Sequence, residues 1–228
     1  MIYPAEKVLN EYSKVLDGYT GLLTCRLLNL CVKAHPVAMI PVLVELWNDE
    51  KQIEEVADVG IPDDDHITVY PKNPEFLFAI GKGVLEVHPE FKMEEKTMKS
   101  GDDDIHYLSF KMPVVDKDRR DVLNNATDVF YQEAKTQLDA AKAEYSAKLA
   151  EKLADQPGEE SDKYRKRFDD AYKNNTDIAQ QTVDDKKKEI EEAYQRYLQN
   201  KAAADQGIQE QKAAEGEDTK NQFKMPIE

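Results

Sequence analysis

Three stretches of the chain carry apolar side chains at the spacing of a helix face, and a fourth, lying between the first two, does not. In residues 5–32, Val8, Tyr12, Val15, Tyr19, Leu22, Arg26 and Leu30 recur three or four apart, which predicts an amphipathic helix. Gly18 and Gly21 weaken it locally. Ala34-His35-Pro36 ends it, because the residue before a proline is pushed out of the helical region. From Asp116 the helical period returns. Leu123, Ala126, Phe130, Ala134, Leu138, Ala141, Tyr145 and Leu149 form one stripe, and Asp155-Gln156-Pro157-Gly158 breaks it. A third stripe runs through Tyr164, Phe168, Tyr172, Asn175, Ala179, Val183, Lys186, Ile190, Ala193 and Tyr197. Residues 204–228 are polar, contain Gly207 and Gly216, and predict a largely disordered tail.

The fourth stretch has another rhythm. Val42 to Trp47 is rich in strand formers and is followed by a turn signal, Asn48-Asp49-Glu50. Glu55 to Ile61 and His66 to Tyr70 predict two further short strands, separated by Pro62-Asp63-Asp64-Asp65. Pro74 opens a short helix, Glu75 to Glu86, since proline is favoured at a first helical position. Residues 87–104 predict a polar loop, and Ile105 to Phe110 alternates as a strand. Three amphipathic helices must bury their stripes, and a three-helix bundle is the simplest way to do so. The expected fold is therefore α+β. A long three-helix bundle comprises residues 1–34 plus 112–203, and a small β/α/β domain, residues 35–111, is inserted between the first and second helices. Two short crossings, near Ala34–Pro36 and Lys111–Asp116, allow a hinge.

Composition narrows the function. The charged fraction of 34% and mean hydropathy of −0.73 suit long helices with solvated faces. No apolar run approaches the ~18–20 residues that span a bilayer, and the N-terminal residues lack the pattern of a signal peptide. Cys25 and Cys31 are predicted to be small buried residues of a helix rather than a disulfide or metal pair, in a reducing, cytoplasmic compartment. The net charge is −15, with −9 in residues 1–113 and −6 in residues 114–228, so no segment is basic overall. Any contact with RNA must come from a local patch acting against an unfavourable field.

No phosphate loop, dinucleotide turn, His-Glu-x-x-His or nucleophile elbow is present. His35, His66, His88 and His106 are scattered through the inserted stretch. The runs Asp63 to Asp65 and Asp102 to Asp104 lack the spaced ligands of a calcium loop and predict solvated turns. No catalytic residue, metal ligand or cofactor is assigned, and the chain is expected not to be an enzyme.

The segments match a known family in order. Val42-Leu43-Val44-Glu45-Leu46-Trp47 resembles a Val-x-Val-Glu-Tyr-Tyr strand. Ile67-Thr68-Val69-Tyr70-Pro71-Lys72, continuing into Phe78 to Glu86, resembles Leu-Thr-Ile-x-Pro-x-Asp followed by Ala-Ile-Glu-Lys-Ala-Ile. Pro113-Val114-Val115-Asp116-Lys117-Asp118-Arg119-Arg120-Asp121-Val122-Leu123 resembles Pro-Pro-Leu-Thr-Glu-Glu-Arg-Arg-Lys-Glu-Leu. These are motifs of the ribosome recycling factors, and the resemblance spans roughly residues 5–198, with Thr176-Asp177 and Lys188-Glu189-Ile190 in register. It implies an L-shaped, two-domain, monomeric protein without catalytic chemistry. The bundle would bind ribosomal RNA of the large subunit, and the inserted domain would work with elongation factor G to split ribosomes after termination.

Carried over position by position, the resemblance implies an RNA-binding set of Lys33, Arg119, Arg120, Lys135 and Lys142. This set is thinner than the family's. The family's Arg-Thr-Gly-Arg-Ala falls on Leu30 to Ala34, where only Lys33 is charged. Its arginine-rich second-helix face falls on Lys135 to Glu144, where Asp139 reverses one charge and Ala143 deletes another. Lysine does not replace a bidentate arginine at a phosphate. Each lost contact flattens the slope of log affinity against log salt by roughly 0.7–0.9. The acid excess and Asp139 point to a second reading: a paralogue that kept the fold, lost the RNA-binding arginines and serves as a protein-interaction or ribosome-associated regulatory module. The run Asp184 to Glu189 predicts a solvated helix face.

Overall fold

A computed structural model of the chain describes residues 4–47, 49–101, 103–154 and 158–222, with the backbone alone at Ser100, Asp103 and beyond Gln206. In chain order the elements are α1 (Pro4–Leu28), β1 (Leu43–Leu46), β2 (Asp49–Gln52), α2 (Ile53–Val56), β3 (Ala57–Asp63), β4 (His66–Pro71), α3 (Leu77–Val87), β5 (Lys92–Ser100), β6 (Asp103–Lys111), α4 (Lys117–Leu153) and α5 (Gly158–Gln222). Single 3-10 turns lie at Pro36–Met39 and Pro74–Phe76. The fold is the expected one, a helical bundle of α1, α4 and α5 with a small β-sheet domain between its first and second helices.

The bundle is held by the stripes. Tyr12 of α1 is fully buried, stacked on Phe168 of α5 at 4.2 Å and tilted against Tyr145 of α4 at 5.4 Å, so one ring joins all three helices. Leu16, Leu23, Leu27 and Leu138 belong to the same core, each contributing about 1.5–3 kcal/mol on burial. The α5 stripe is buried at Phe168, Asn175, Ala179, Val183, Lys186, Ile190 and Ala193. Its one amide is satisfied: Thr20 Oγ1 lies 3.1 Å from Asn175 Oδ1, and Asn175 Nδ2 donates to the Ala171 carbonyl at 3.2 Å.

The stripe of α1 is rotated from the expected one. Leu16, Thr20, Leu23 and Leu27 are its buried line, while Leu22 is 45% exposed. A helix touching two neighbours buries a sector wider than one row, and the residues counted along Val15, Tyr19 and Leu22 lie on the sector's edge. The helix also stops at Leu28, not residue 32. Cys31 takes a left-handed φ of 50° just beyond it and packs into the core of the inserted domain. Cys25 is exposed rather than buried.

In the inserted domain β1 and β2 form a hairpin, with Leu46 opposite Asp49. Trp47 turns it with a φ of 54°, a costly conformation for a bulky residue. Asn48 lies outside the described residues. A second, antiparallel sheet has the order β3-β4-β6-β5. Two expectations fail here. The start of the expected strand 55–61 is the helical turn α2, capped by Glu55 accepting from the Gln52 amide at 3.0 Å. Half of the expected loop 87–104 is β5, a nine-residue strand paired along its length with β6. Its Lys and Glu side chains hid it, yet such charges are what protect an edge strand from further pairing. Asp102 lies outside the described residues.

α4 starts where the sequence placed it: Asp116 accepts from the Arg119 amide at 2.9 Å, a cap worth about 1 kcal/mol. It ends at Leu153, and the expected breaker residues 155–157 lie outside the described residues. The expectation of a structureless tail from residue 204 does not hold for the backbone, since α5 continues to Gln222. Ala, Gln, Glu and Lys there are good helix formers and outweigh the two glycines. Residues 223–228 lie outside the described residues. No described helix is long and apolar enough to cross a membrane.

α3 crosses β1 so closely that a Cβ on Gly83 would stand 2.4 Å from the Leu43 carbonyl oxygen. At Gly81 the corresponding neighbour is the flexible Met93 sulfur at 2.8 Å. Gly83→Ala is therefore expected to lower the unfolding free energy by about 1–3 kcal/mol despite its better helix propensity. Gly81→Ala should change it by less than about 1 kcal/mol. Urea denaturation of the two variants checks the contrast.

Candidate nucleic-acid interface

The five candidate cations do not form one basic face. Lys33 lies just past α1 at the first crossing, where its ammonium is 3.5 Å from the Asp64 carboxylate. Asp64 also faces Arg196 of α5 at 3.5 Å. Arg119, in the first turn of α4, turns inward. It donates to the Leu30 carbonyl at 3.5 Å and lies close to Cys31 and Glu90, and its Nε is buried with no partner among the described residues. Burial lowers the guanidinium's pKa, with Glu90, Cys31 and Asp116 opposing that shift. The same burial pushes the Cys31 thiol up to about 12, so that it stays protonated. Arg119 therefore fastens α4 to the end of α1 and offers little to a surface ligand.

Arg120 points outward but is occupied. It donates to Asp121 at 3.0 Å, lies 3.9 Å from Glu191, and covers the Tyr194 ring at 4.4 Å. The hydrogen bond to Asp121 raises its pKa.

Lys135 and Lys142 do come together, around Tyr172 and Asp139. Lys135 donates to Asp139 at 3.0 Å, one helical turn away. The Tyr172 hydroxyl donates to the other oxygen of Asp139. Lys142 lies 4.2 Å above the Tyr172 ring and 3.3 Å from Asp169 of α5. Asp139 is thus the hub. Its pKa is lowered, first by Tyr172 and then by Lys135. Asp139 in turn raises the pKa of Tyr172 and of Lys135. A shallow cleft at Tyr131, Lys135, Leu138, Tyr172, Thr176 and Ala179 lies beside it.

Tyr172, Asp169, Asp64, Glu191 and Tyr194 were missed as partners. Lys135 and Asp139 stand i,i+4 and are legible in sequence. Lys142–Asp169 and Arg120–Tyr194 join different helices, and no local spacing announces them. The expected solvated face 184–189 also needs correcting. Lys186 is 5% exposed and paired to Glu189 at 2.7 Å, because it sits on the α5 stripe facing the α1 end. Among the described residues no group of His, Cys, Asp or Glu is placed to hold a metal. His88 is buried, with Nε2 donating to the Ala38 carbonyl at 2.7 Å and its ring stacked on Phe91.

A family model described as ribosome recycling factor matches residues 28–190. Among solved structures the chain is similar to a solution structure of the ribosome recycling factor. The TM-score is 0.62 at 17% identity, covering 84% of this chain and 100% of that one. It is also similar to a chain in models of the T. thermophilus ribosome recycling factor and the E. coli elongation factor G bound to the E. coli post-termination complex. There the TM-score is 0.51 at 19% identity, covering 82% of this chain and 98% of that one. At these identities the structural likeness shows the fold. No curated protein matches the chain in sequence.

The Asp139 hub sets a pH dependence. A carboxyl whose pKa is lowered by folding stabilises the fold above its unfolded value, near 3.8, and that contribution is lost as pH falls through the folded value. Asp139→Asn is expected to melt slightly below the parent at pH 7, by no more than about 1 kcal/mol of stability. The difference should close as both are acidified from about pH 5 towards pH 2, as followed by thermal circular dichroism.

Proposed function

The chain belongs to the ribosome recycling factor family, and from that premise we propose that its bundle binds the large ribosomal subunit and that, with elongation factor G, it splits ribosomes after termination. The extent of the family match carries this reading. Residues 28–190 take in the end of α1, the whole inserted module, α4 and half of α5. In the proposal the chain acts as a cytoplasmic monomer of two domains, residues 1–34 with 112–203 and residues 35–111. It binds and separates, and makes or breaks no covalent bond, as befits a family of non-enzymatic translation factors.

The ribosomal RNA contact we propose is narrow. Lys135 and Lys142, on one face of α4, are its centre, with Arg120 and Lys33 farther along the bundle. Exposed ion pairs of the Lys135–Asp139 and Lys142–Asp169 kind contribute little to stability and exchange readily for a phosphate. Asp139 and Asp169 stay nearby after the exchange and repel the same phosphate. The contact is therefore weaker than an arginine face provides. Arg119 drops out of the contact set, because its guanidinium holds the α1–α4 junction.

A specific observation favours the second reading, a non-enzymatic paralogue acting through proteins. Lys33, Arg120, Lys135 and Lys142 each have a carboxylate within 4 Å. The two readings separate in one experiment, with purified post-termination ribosomes, elongation factor G and GTP. Loss of light scattering on adding the chain, abolished in Lys135→Glu/Lys142→Glu, is the expected result. The double change should weaken pelleting with large subunits about tenfold or more. Pelleting without splitting assigns the chain to the second reading, and neither at low salt overturns the ribosome proposal.

A further inference from the structure

One surface of the inserted domain carries none of the candidate RNA-binding residues. α3 and the edge of the four-stranded sheet enclose a groove of about 480 Å³, walled by Leu77, Phe78 and Leu85 and floored by Met93 and Leu108. Gly81 makes it possible, since the bare helix backbone there lets Met93 and Leu108 come up against α3. Phe78 is 84% exposed and Met93 43%. A contiguous apolar strip with an exposed ring at its edge is the kind of surface that a partner covers.

Charge identifies the kind of partner. Residues 35–111 contain 7 Lys and no Arg against 17 Asp and Glu, a balance of −10. Around the groove, Lys82 is held between Glu45 at 2.9 Å and Glu86 at 3.7 Å. Glu95 adds a third carboxylate on the rim. The one lysine lining the groove, Lys82, is already committed, so the rim presents negative charge to whatever approaches.

We infer that this groove docks an amphipathic helix of a protein partner, with an apolar stripe set against Phe78, Leu85 and Met93 and with Lys or Arg flanks meeting Glu86 and Glu95. A second copy of the chain is opposed by the like charge of two such modules, and a nucleic acid by the same field. Strand addition is opposed by the charged side chains of the β5 edge. The inference rests on the module's own surface and stands whether or not the bundle binds RNA.

The test uses the full chain and fluorescein-labelled synthetic peptides of about five helical turns. One peptide has a leucine stripe with lysine on the other face. The second has the same composition scrambled so that no stripe forms. The third keeps the stripe but replaces lysine by glutamate. Anisotropy titrations are expected to show binding of the first alone, weakened roughly tenfold or more by Phe78→Ser or Met93→Ser. Both positions are solvent-exposed, and circular dichroism confirms that the variants fold. Equal binding of the scrambled peptide, or no effect of either substitution, overturns the inference. So does Phe78-dependent self-association in sedimentation velocity, or Phe78-dependent binding of a single-stranded RNA. Pelleting with large subunits, unchanged in Phe78→Ser, keeps this outcome separate from that of the ribosomal proposal.

Discussion

A domain inserted into a bundle must send the chain out and bring it back at nearly the same place, and in this protein one turn secures both passages. The Ala34 amide donates to the Asp64 carbonyl at 2.7 Å, and the Met112 amide donates to the Asp65 carbonyl at 2.8 Å. Val32 and Val115, the residues flanking those passages, are buried together with Leu123, Ile190 and Ala193. The Asp64 carboxylate reaches Lys33 and Arg196 as well, which ties the same turn to α5. With the ends held this way, the end of α1 and the start of α4 lie side by side, Arg119 can reach the Leu30 carbonyl, and the Tyr12–Phe168 stack sets the register farther along the bundle.

That arrangement explains why a strongly acidic chain can keep a fold known for its cations. Many of the bundle's lysines and arginines are drawn into pairs. Arg167 forks onto Glu6 at 2.7 and 2.8 Å, Lys187 reaches Asp128 at 2.5 Å, and Arg26 meets Glu133. Each joins two helices, so charge that could face a phosphate supports the bundle instead. Asp139 also takes part, since its carboxylate engages Lys135 of its own helix and Tyr172 of α5 and lies beside the Lys142–Asp169 pair.

Much of this architecture was legible in the residues. The α5 stripe, including the unusual choices Asn175 and Lys186, is the buried line of that helix, because a 3.6-residue period is a property of local sequence. The Asp116 cap was legible for the same reason. What escaped was decided by tertiary contact. β5 has polar side chains on both faces and becomes a strand because β6 supplies its hydrogen bonds. Arg119 looks like a surface residue of a first turn until the end of α1 is placed over it. The cross-helix partners of Lys142 and Arg120 are far away in sequence, so the candidate site could be listed as charges but not as pairs.

The central claim is that the recycling-factor fold persists here while its RNA-facing charge is spent within the molecule. The salt dependence of affinity for purified large subunits measures this directly, because the slope of log affinity against log salt counts the phosphates neutralised, at roughly 0.7–0.9 per contact. With Arg119 buried and the remaining candidates shared with carboxylates, the slope is predicted to be shallower than about −2. It should steepen when Asp139 and Asp169 are both replaced by alanine. A slope near −4 or beyond in the unaltered chain, as five free cations would give, contradicts the account.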